Sequence, residues 1–142
     1  VGLMDKATEN PFDLSLSDRK LLTFATLLAV NPRVYLLDEP MIALDWHSQT
    51  VVIQILRKLA QQGHQIIVST HDMDLVATHF KRVVAFDQGK LAFDGSPLEL
   101  FAQAGLLARI GLLPPRIMQI CQQLGESQVY LNVADYVTQH RH

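Results

Sequence analysis

Two short apolar runs constrain this chain more than any other feature: Val34-Tyr35-Leu36-Leu37 and Gln65-Ile66-Ile67-Val68-Ser69. Neither alternates apolar with polar residues, which is the pattern of strands covered on both faces of a parallel sheet. Parallel strands need a crossover, and the intervening stretch supplies one. Over His47 to Ala60, apolar residues at Val51, Val52, Ile55, Leu56 and Leu59 recur at helical spacing, with Gly63 placed to stop the helix. A second helix over Met73 to Phe80 leads to a third apolar run, Val83-Val84-Ala85-Phe86. Asp87-Gln88-Gly89-Lys90 then reads as a tight turn into Leu91-Ala92-Phe93, folding that strand back as a hairpin. The order strand, helix, strand, helix, strand predicts an α/β fold, a doubly wound parallel sheet of three core strands plus the hairpin.

Both flanks read as helical. Ser15 and Ser17 offer capping hydroxyls before a stretch to Val30 dense in apolar residues, predicted to be a helix buried on most sides and stopped at Asn31-Pro32. After Gly95, Ser96-Pro97-Leu98-Glu99 is a capping box with proline at the first helical position. The chain therefore divides near residue 95 into an α/β part, 1–95, and a helical appendage, 96–142. Val1-Gly2-Leu3-Met4 reads as helix interior rather than a start, so the chain is expected to be a piece of a longer polypeptide.

Charge excludes two classes of partner. Lys+Arg number 12 and Asp+Glu 14, a net charge of −2, so the basic excess of a general nucleic-acid or anionic-membrane binder is absent. The longest charge-free apolar stretch, Leu21 to Val30, is half of the ~20 residues that span a bilayer, so direct membrane insertion is not expected. A single cysteine, Cys121, forms no internal disulfide and reads as an inert core thiol in a reducing compartment. Trp46 and Met73 read as packing residues. His47, His64, His79, His140 and His142 show no metal-ligand spacing, and His140-Arg141-His142 reads as a frayed end.

Chemistry concentrates where strands end. In open α/β sheets, ligands bind outside the carboxyl ends of strands. Asp38-Glu39 stands there after the first run: one carboxylate can hold hydrated Mg²⁺ while the other polarises a water. Read alone, the pair fits a solvated loop start better than a catalytic one, since Asp and Glu are common there. Ser69-Thr70-His71-Asp72 holds the equivalent place after the second run, 33 residues beyond Asp38 at His71. An imidazole there can reach a phosphate or hold a water, or can simply begin a helix.

Asp38-Glu39, Ala43-Leu44-Asp45 and Ser69-Thr70-His71-Asp72 resemble the Walker B motif, D-loop and H-loop of ABC transporter ATPases. That family's Leu-Ser-Gly-Gly-Gln signature begins 24 residues before the Walker B aspartate, and Leu14-Ser15 stands 24 residues before Asp38. The resemblance covers about Leu14 to Gly95. More loosely, the tail, with Ser96-Pro97-Leu98-Glu99-Leu100-Phe101 and Leu112-Leu113-Pro114-Pro115, is similar to the C-terminal extension of energy-coupling-factor uptake ATPases. The resemblance implies a partial P-loop NTPase-type fold and the C-terminal part of a transport ATPase that energises uptake of a metal ion or vitamin. It implies ATP and Mg²⁺ as cofactors, with Asp38 on Mg²⁺ through water, Glu39 on the attacking water and His71 on the γ-phosphate. By the same resemblance Asp45 communicates across an ATPase dimer and Ser15 touches the nucleotide of the opposite subunit. A second ATPase subunit and a transmembrane transporter subunit are the implied partners, at the cytoplasmic face of the plasma membrane.

The departures carry their own expectations. Where the signature has Gly-Gly-Gln this chain has Leu16-Ser17-Asp18, adding bulk and a negative charge where backbone meets a phosphate. An asymmetric dimer, weak at the site this segment completes, is expected. None of the seven glycines stands in the G-x-x-x-x-G-K-[ST] phosphate cradle, so this chain alone is expected to turn over little ATP. A non-catalytic interaction or regulatory module derived from the same fold is the alternative. An unrelated small α/β domain using Asp38 as phospho-acceptor or metal site is a third reading, and leaves the signature spacing unexplained.

Overall fold

The computed structural model describes residues 1–126 and 128–140. These fall into two units, 1–70 and 71–142. Arg141 and His142, the expected frayed end, lie outside the described residues, while His140 closes a helix.

The first unit opens with Val1–Leu3 outside any helix and Gly2 left-handed at φ 77°, followed by a 3₁₀ turn, Met4–Lys6. The expected helix interior at the start is not formed; a left-handed residue is incompatible with a continuing right-handed turn. Helix α1, Leu16–Val30, is capped by the Ser15 hydroxyl, which accepts from Asp18 N–H, and is closed by Asn31 in the left-handed region. Only Leu21 and Phe24 of α1 are buried, so the expected burial on most sides does not hold. Ser17, Asp18, Lys20, Leu22, Ala25, Leu27 and Leu28 are half-buried and the remaining residues of the helix are exposed.

Strand β1, Val34–Asp38, and strand β2, Gln65–Ser69, pair in parallel with Asp38 opposite Ser69. The helix between them, α2, Trp46–Gln61, buries Val52, Leu56 and Leu59 on the predicted face, each such side chain contributing about 1.5–3 kcal/mol of transfer free energy. Gly63, at φ 91°, follows the helix end and takes the left-handed turn without a Cβ penalty. The two-sided burial expected of these strands does not hold either. Tyr35 and Leu37 are buried, whereas Leu36 is 74% exposed and Ile67 52% exposed. One sheet face is covered and the other is open. Trp46, read as a packing residue, is 81% exposed, because the helix begins there and turns its first residue outward.

The second unit contains α3, Met73–His79, capped by Asp72, and the hairpin of β3, Val83–Asp87, with β4, Lys90–Gly95. Gln88 and Gly89 both have positive φ, 49° and 75°, as the type I′ turn of a two-residue hairpin requires. The third expected core strand is thus paired with β4 in its own antiparallel sheet, and the parallel sheet has two strands. The α/β class stands, with a small parallel sheet. Helix α4, Pro97–Phe101, carries the predicted capping box, Ser96 and Glu99 satisfying each other's backbone N–H groups. Helices α5, Ala104–Ile110, α6, Arg116–Gln123, and α7, Val133–His140, complete the tail. Its core joins Val76, Ala77, Leu100, Phe101, Leu107 and Met118, with Met73 packed against it as predicted. Cys121 is buried beside Ile117 and Tyr130, and burial pushes its thiol pKa up, keeping it in the unreactive form.

Candidate functional site

The parallel register brings the carboxyl ends of β1 and β2 to one edge, and Glu39 is the residue most firmly held there. It lies just beyond β1 with φ 43°, a left-handed conformation that costs a non-glycine residue free energy. Neighbouring groups sustain that conformation. The Glu39 N–H donates to the Ser69 carbonyl at 2.8 Å, extending the β1–β2 ladder by one bond. Its carbonyl accepts from Lys20 Nζ and from the Ile42 N–H, each at 3.3 Å. Its carboxylate Oε2 accepts the Thr70 hydroxyl at 2.9 Å. Backbone and side chain are therefore fixed together, the pre-organisation expected of a group that must aim at one point. Asp38, the last residue of β1, is exposed at the same edge, and its hard carboxylate oxygens suit a cation such as Mg²⁺. Pro40, the next residue, is buried, and Ala43 in the following loop is also left-handed, at φ 66°.

Asp45 is the N-cap of α2. Its Oδ1 accepts the Ser48 N–H at 2.8 Å, and the Ser48 hydroxyl accepts from the Ser17 hydroxyl of α1 at 2.9 Å. The Ser48 N–H, with the Ser48 and Ser17 hydroxyls adding to it, holds the Asp45 carboxyl below its ordinary range against an opposing desolvation cost.

The residues in place of the signature form a compact polar set. The Ser15 hydroxyl donates to Asp18 Oδ2 at 2.7 Å while accepting the Asp18 N–H at 3.1 Å. Lys6 Nζ donates to the same carboxylate oxygen at 2.6 Å. Lys6 first, then the Ser15 hydroxyl, hold the Asp18 carboxyl below the usual carboxylate range, and Asp18 raises the Lys6 pKa in return. His71 is exposed and belongs to the second unit, two residues past β2; Asp72 beside it, not His71, caps α3 through the Leu75 N–H.

Ser15, Asp38, Glu39 and Asp45 thus all lie in the first unit, and His71 opens the second. Thr70, Lys20, Ser17, Ser48 and Lys6 support these residues, a role that, Ser48 apart, their places in the sequence do not announce. An Asp-x-x-Ser cap at 45–48 was a usable signal for Ser48. Lys6 and Lys20 gave none, since their partners lie 12 and 19 residues away.

Residues 5–77, just over half of the chain, match a family model described as "AAA domain, putative AbiEii toxin, Type IV TA system". The energy-coupling factor transporter ATP-binding protein EcfA2 of Streptococcus pyogenes is 36% identical over 125 residues, 87% of this chain and 45% of that protein. EcfA of Methanothermobacter thermautotrophicus is 32% identical over 124 residues, 87% of this chain and 40% of its own length. Among solved structures, cbiO1 from Clostridium perfringens, described as part of the ABC transporter complex cbiONQ, superposes with a TM-score of 0.60 at 27% identity, covering 82% of this chain and 46% of that one. The chain spans less than half the length of each of these relatives.

Proposed function

From the premise that this chain belongs to the AAA-domain family and that its relatives are ABC transporter ATP-binding proteins, we propose that it is the C-terminal portion of a transport ATPase serving an energy-coupling-factor or related importer. The observation that carries the reading is the hold on Glu39 at the end of a parallel strand: its carboxylate accepts the Thr70 hydroxyl, and its backbone N–H and carbonyl make three further bonds. Such a group is poised to accept a proton from, and orient, an attacking water. Asp38 beside it would hold the Mg²⁺ that accompanies ATP, which when bound would supply neutralisation of charge on the phosphates. His71 contacts the γ-phosphate, and Asp45 faces the second ATPase subunit. Ser15 reaches the nucleotide of that subunit once its hydroxyl leaves Asp18. The exposed Phe12, Leu16, Ile42 and Trp46, on the segments that carry Ser15 and Asp45, favour a protein partner there.

Residues 1–95 form the ATPase portion and 96–142 a helical extension; the cargo is a metal ion or vitamin. Among the described residues no helix is long and apolar enough to cross a membrane. The energy-coupling-factor relatives support a transmembrane transporter subunit as partner, with this subunit at the cytoplasmic face of the membrane. One observation favours a second reading, a regulatory module without turnover of its own: Ser15, Asp18 and Lys6 satisfy one another.

The test uses the full-length parent. Glu39→Gln is expected to abolish ATP hydrolysis while ATP stays bound, and His71→Ala to impair hydrolysis. The 142-residue chain alone is expected to release phosphate near background, since no run of its sequence cradles phosphates. Near wild-type turnover in Glu39→Gln would remove the assignment.

A further inference from the structure

We propose that Ser17 is a positioning residue: it ties the start of α1 to Asp45 through buried Ser48, whose hydroxyl accepts from Ser17 and whose N–H donates to Asp45, so that the signature segment and the Asp45 loop move as one piece. The proposal deepens the reading above and rests on it for Asp45's part in turnover.

Three observations converge. Ser48 is only 4% exposed, and leaving a buried hydroxyl unpaired costs free energy that a hydrogen bond removes. Ser17 uses it across the two helices, donating to Ser48 Oγ at 2.9 Å over a separation of 31 residues. The same Ser48 gives its N–H to Asp45 Oδ1 at 2.8 Å. A chain of polar contacts therefore runs Ser17, Ser48, Asp45 from one helix start to the next.

A glycine at position 17 has no hydroxyl to begin this chain. Serine there is thus not merely a lost glycine: it exchanges close backbone approach for a cross-helix tether. Because Ser48 is shielded from water, solvent competes weakly for the bond, and partial burial strengthens it. The charged groups that act on Asp45 are Asp18 of α1 and His47 of α2. Neither stands in for the tether, since Asp18 is occupied by Lys6 and Ser15.

The experiment has two arms. In the 142-residue chain, the Asp45 carboxyl is titrated by ¹³C NMR; in the full-length parent, kcat and KM for ATP are measured. Ser17→Ala is expected to raise the Asp45 midpoint and to lower kcat by about two- to tenfold, the scale of one hydrogen bond, with KM unchanged. Ser17→Thr, which keeps the hydroxyl, is expected to restore both. In an Asp45→Asn parent, Ser17→Ala is expected to add nothing. An unmoved Asp45 midpoint, or an equal kcat loss with and without Asp45, overturns the tether. A wild-type parent that turns over no ATP sinks the functional reading instead, and the titration alone then decides the Ser17 link.

Discussion

Asp18 stands where the resembled signature carries glutamine, and its carboxylate lies 2.6 Å from Lys6 Nζ. From the sequence alone, Asp18 is an added negative charge beside a phosphate. The ion pair changes that balance: the charge is met by a cation 12 residues earlier and by the Ser15 hydroxyl. Asp18 also complements the positive end of α1, where acidic side chains are favoured.

A pH dependence follows. The Asp18 carboxyl is held below its ordinary range in the folded state, so its contribution is fully present above the unfolded value of about 3.9. It is lost as pH falls through the lower folded value. The melting temperature of the wild-type chain is expected to drop below about pH 4 more steeply than that of Asp18→Asn. The two curves should converge at the acid end and differ at neutral pH. Parallel curves across this range would show that the pair contributes nothing.

Tyr35 gives an opposite expectation. Its ring is 1% exposed and packs edge-on against His64 at 5.5 Å, yet its hydroxyl is buried without a hydrogen-bond partner. A buried, unpaired hydroxyl costs about 1–3 kcal/mol. Tyr35→Phe keeps the ring and removes the cost, so it should leave stability unchanged or raise it by about 1 kcal/mol in urea denaturation. A loss of stability would mean that the hydroxyl has a partner in solution.

In the second unit, Leu100 is fully buried in the core of α3, α4, α5 and α6, whereas Leu98 on the same helix α4 is exposed. Leu100→Ala should cost about 2–5 kcal/mol by lost transfer energy and cavity formation. Leu98→Ala should stay within about 0.5 kcal/mol. Equal effects in chemical denaturation would place the core elsewhere.

What the sequence made legible is local. The Ser96–Glu99 box, the Gln88-Gly89 turn, the buried stripe of α2 and the parallel pairing of β1 with β2 each depend on residues a few positions apart or on a strong apolar pattern. The open face of β1 was not legible, because an unalternated run such as Val34–Leu37 records which strand is suited to two-sided cover, not what covers it. The third strand was misassigned for a related reason: Val83–Phe86 looks the same whether it joins β1 and β2 or only its hairpin partner, and the short turn selects the latter. At the candidate site, Asp38 and Glu39 stood out by their place after a strand. The groups that hold Glu39, Thr70 and Lys20, come from segments 31 and 19 residues away, a proximity that no local pattern encodes. Ser15 caps α1 as its place in the sequence predicts, while its bond to Asp18 Oδ2 has no signal in the local pattern.

The last expectation concerns Leu16 and rests on the proposed ATPase reading. With Asp18 matched by Lys6 and Ser15, charge is a smaller obstacle to a partner's nucleotide than the sequence alone implied. Bulk remains. Leu16 is the first residue of α1 and 67% exposed, so a branched side chain projects where a glycine would let a phosphate approach the backbone N–H groups of the helix start. In the full-length parent, counting nucleotides trapped per dimer should therefore give a single occupied site in the wild type. Leu16→Gly should raise the count toward full occupancy. Asp18→Gln should change it less, because it removes a charge already neutralised. Lys6→Ala should lower it, because it exposes the Asp18 carboxylate to a polyanion. If Asp18→Gln restores occupancy and Leu16→Gly does not, charge rather than bulk governs this edge and the ion pair with Lys6 fails to shield it.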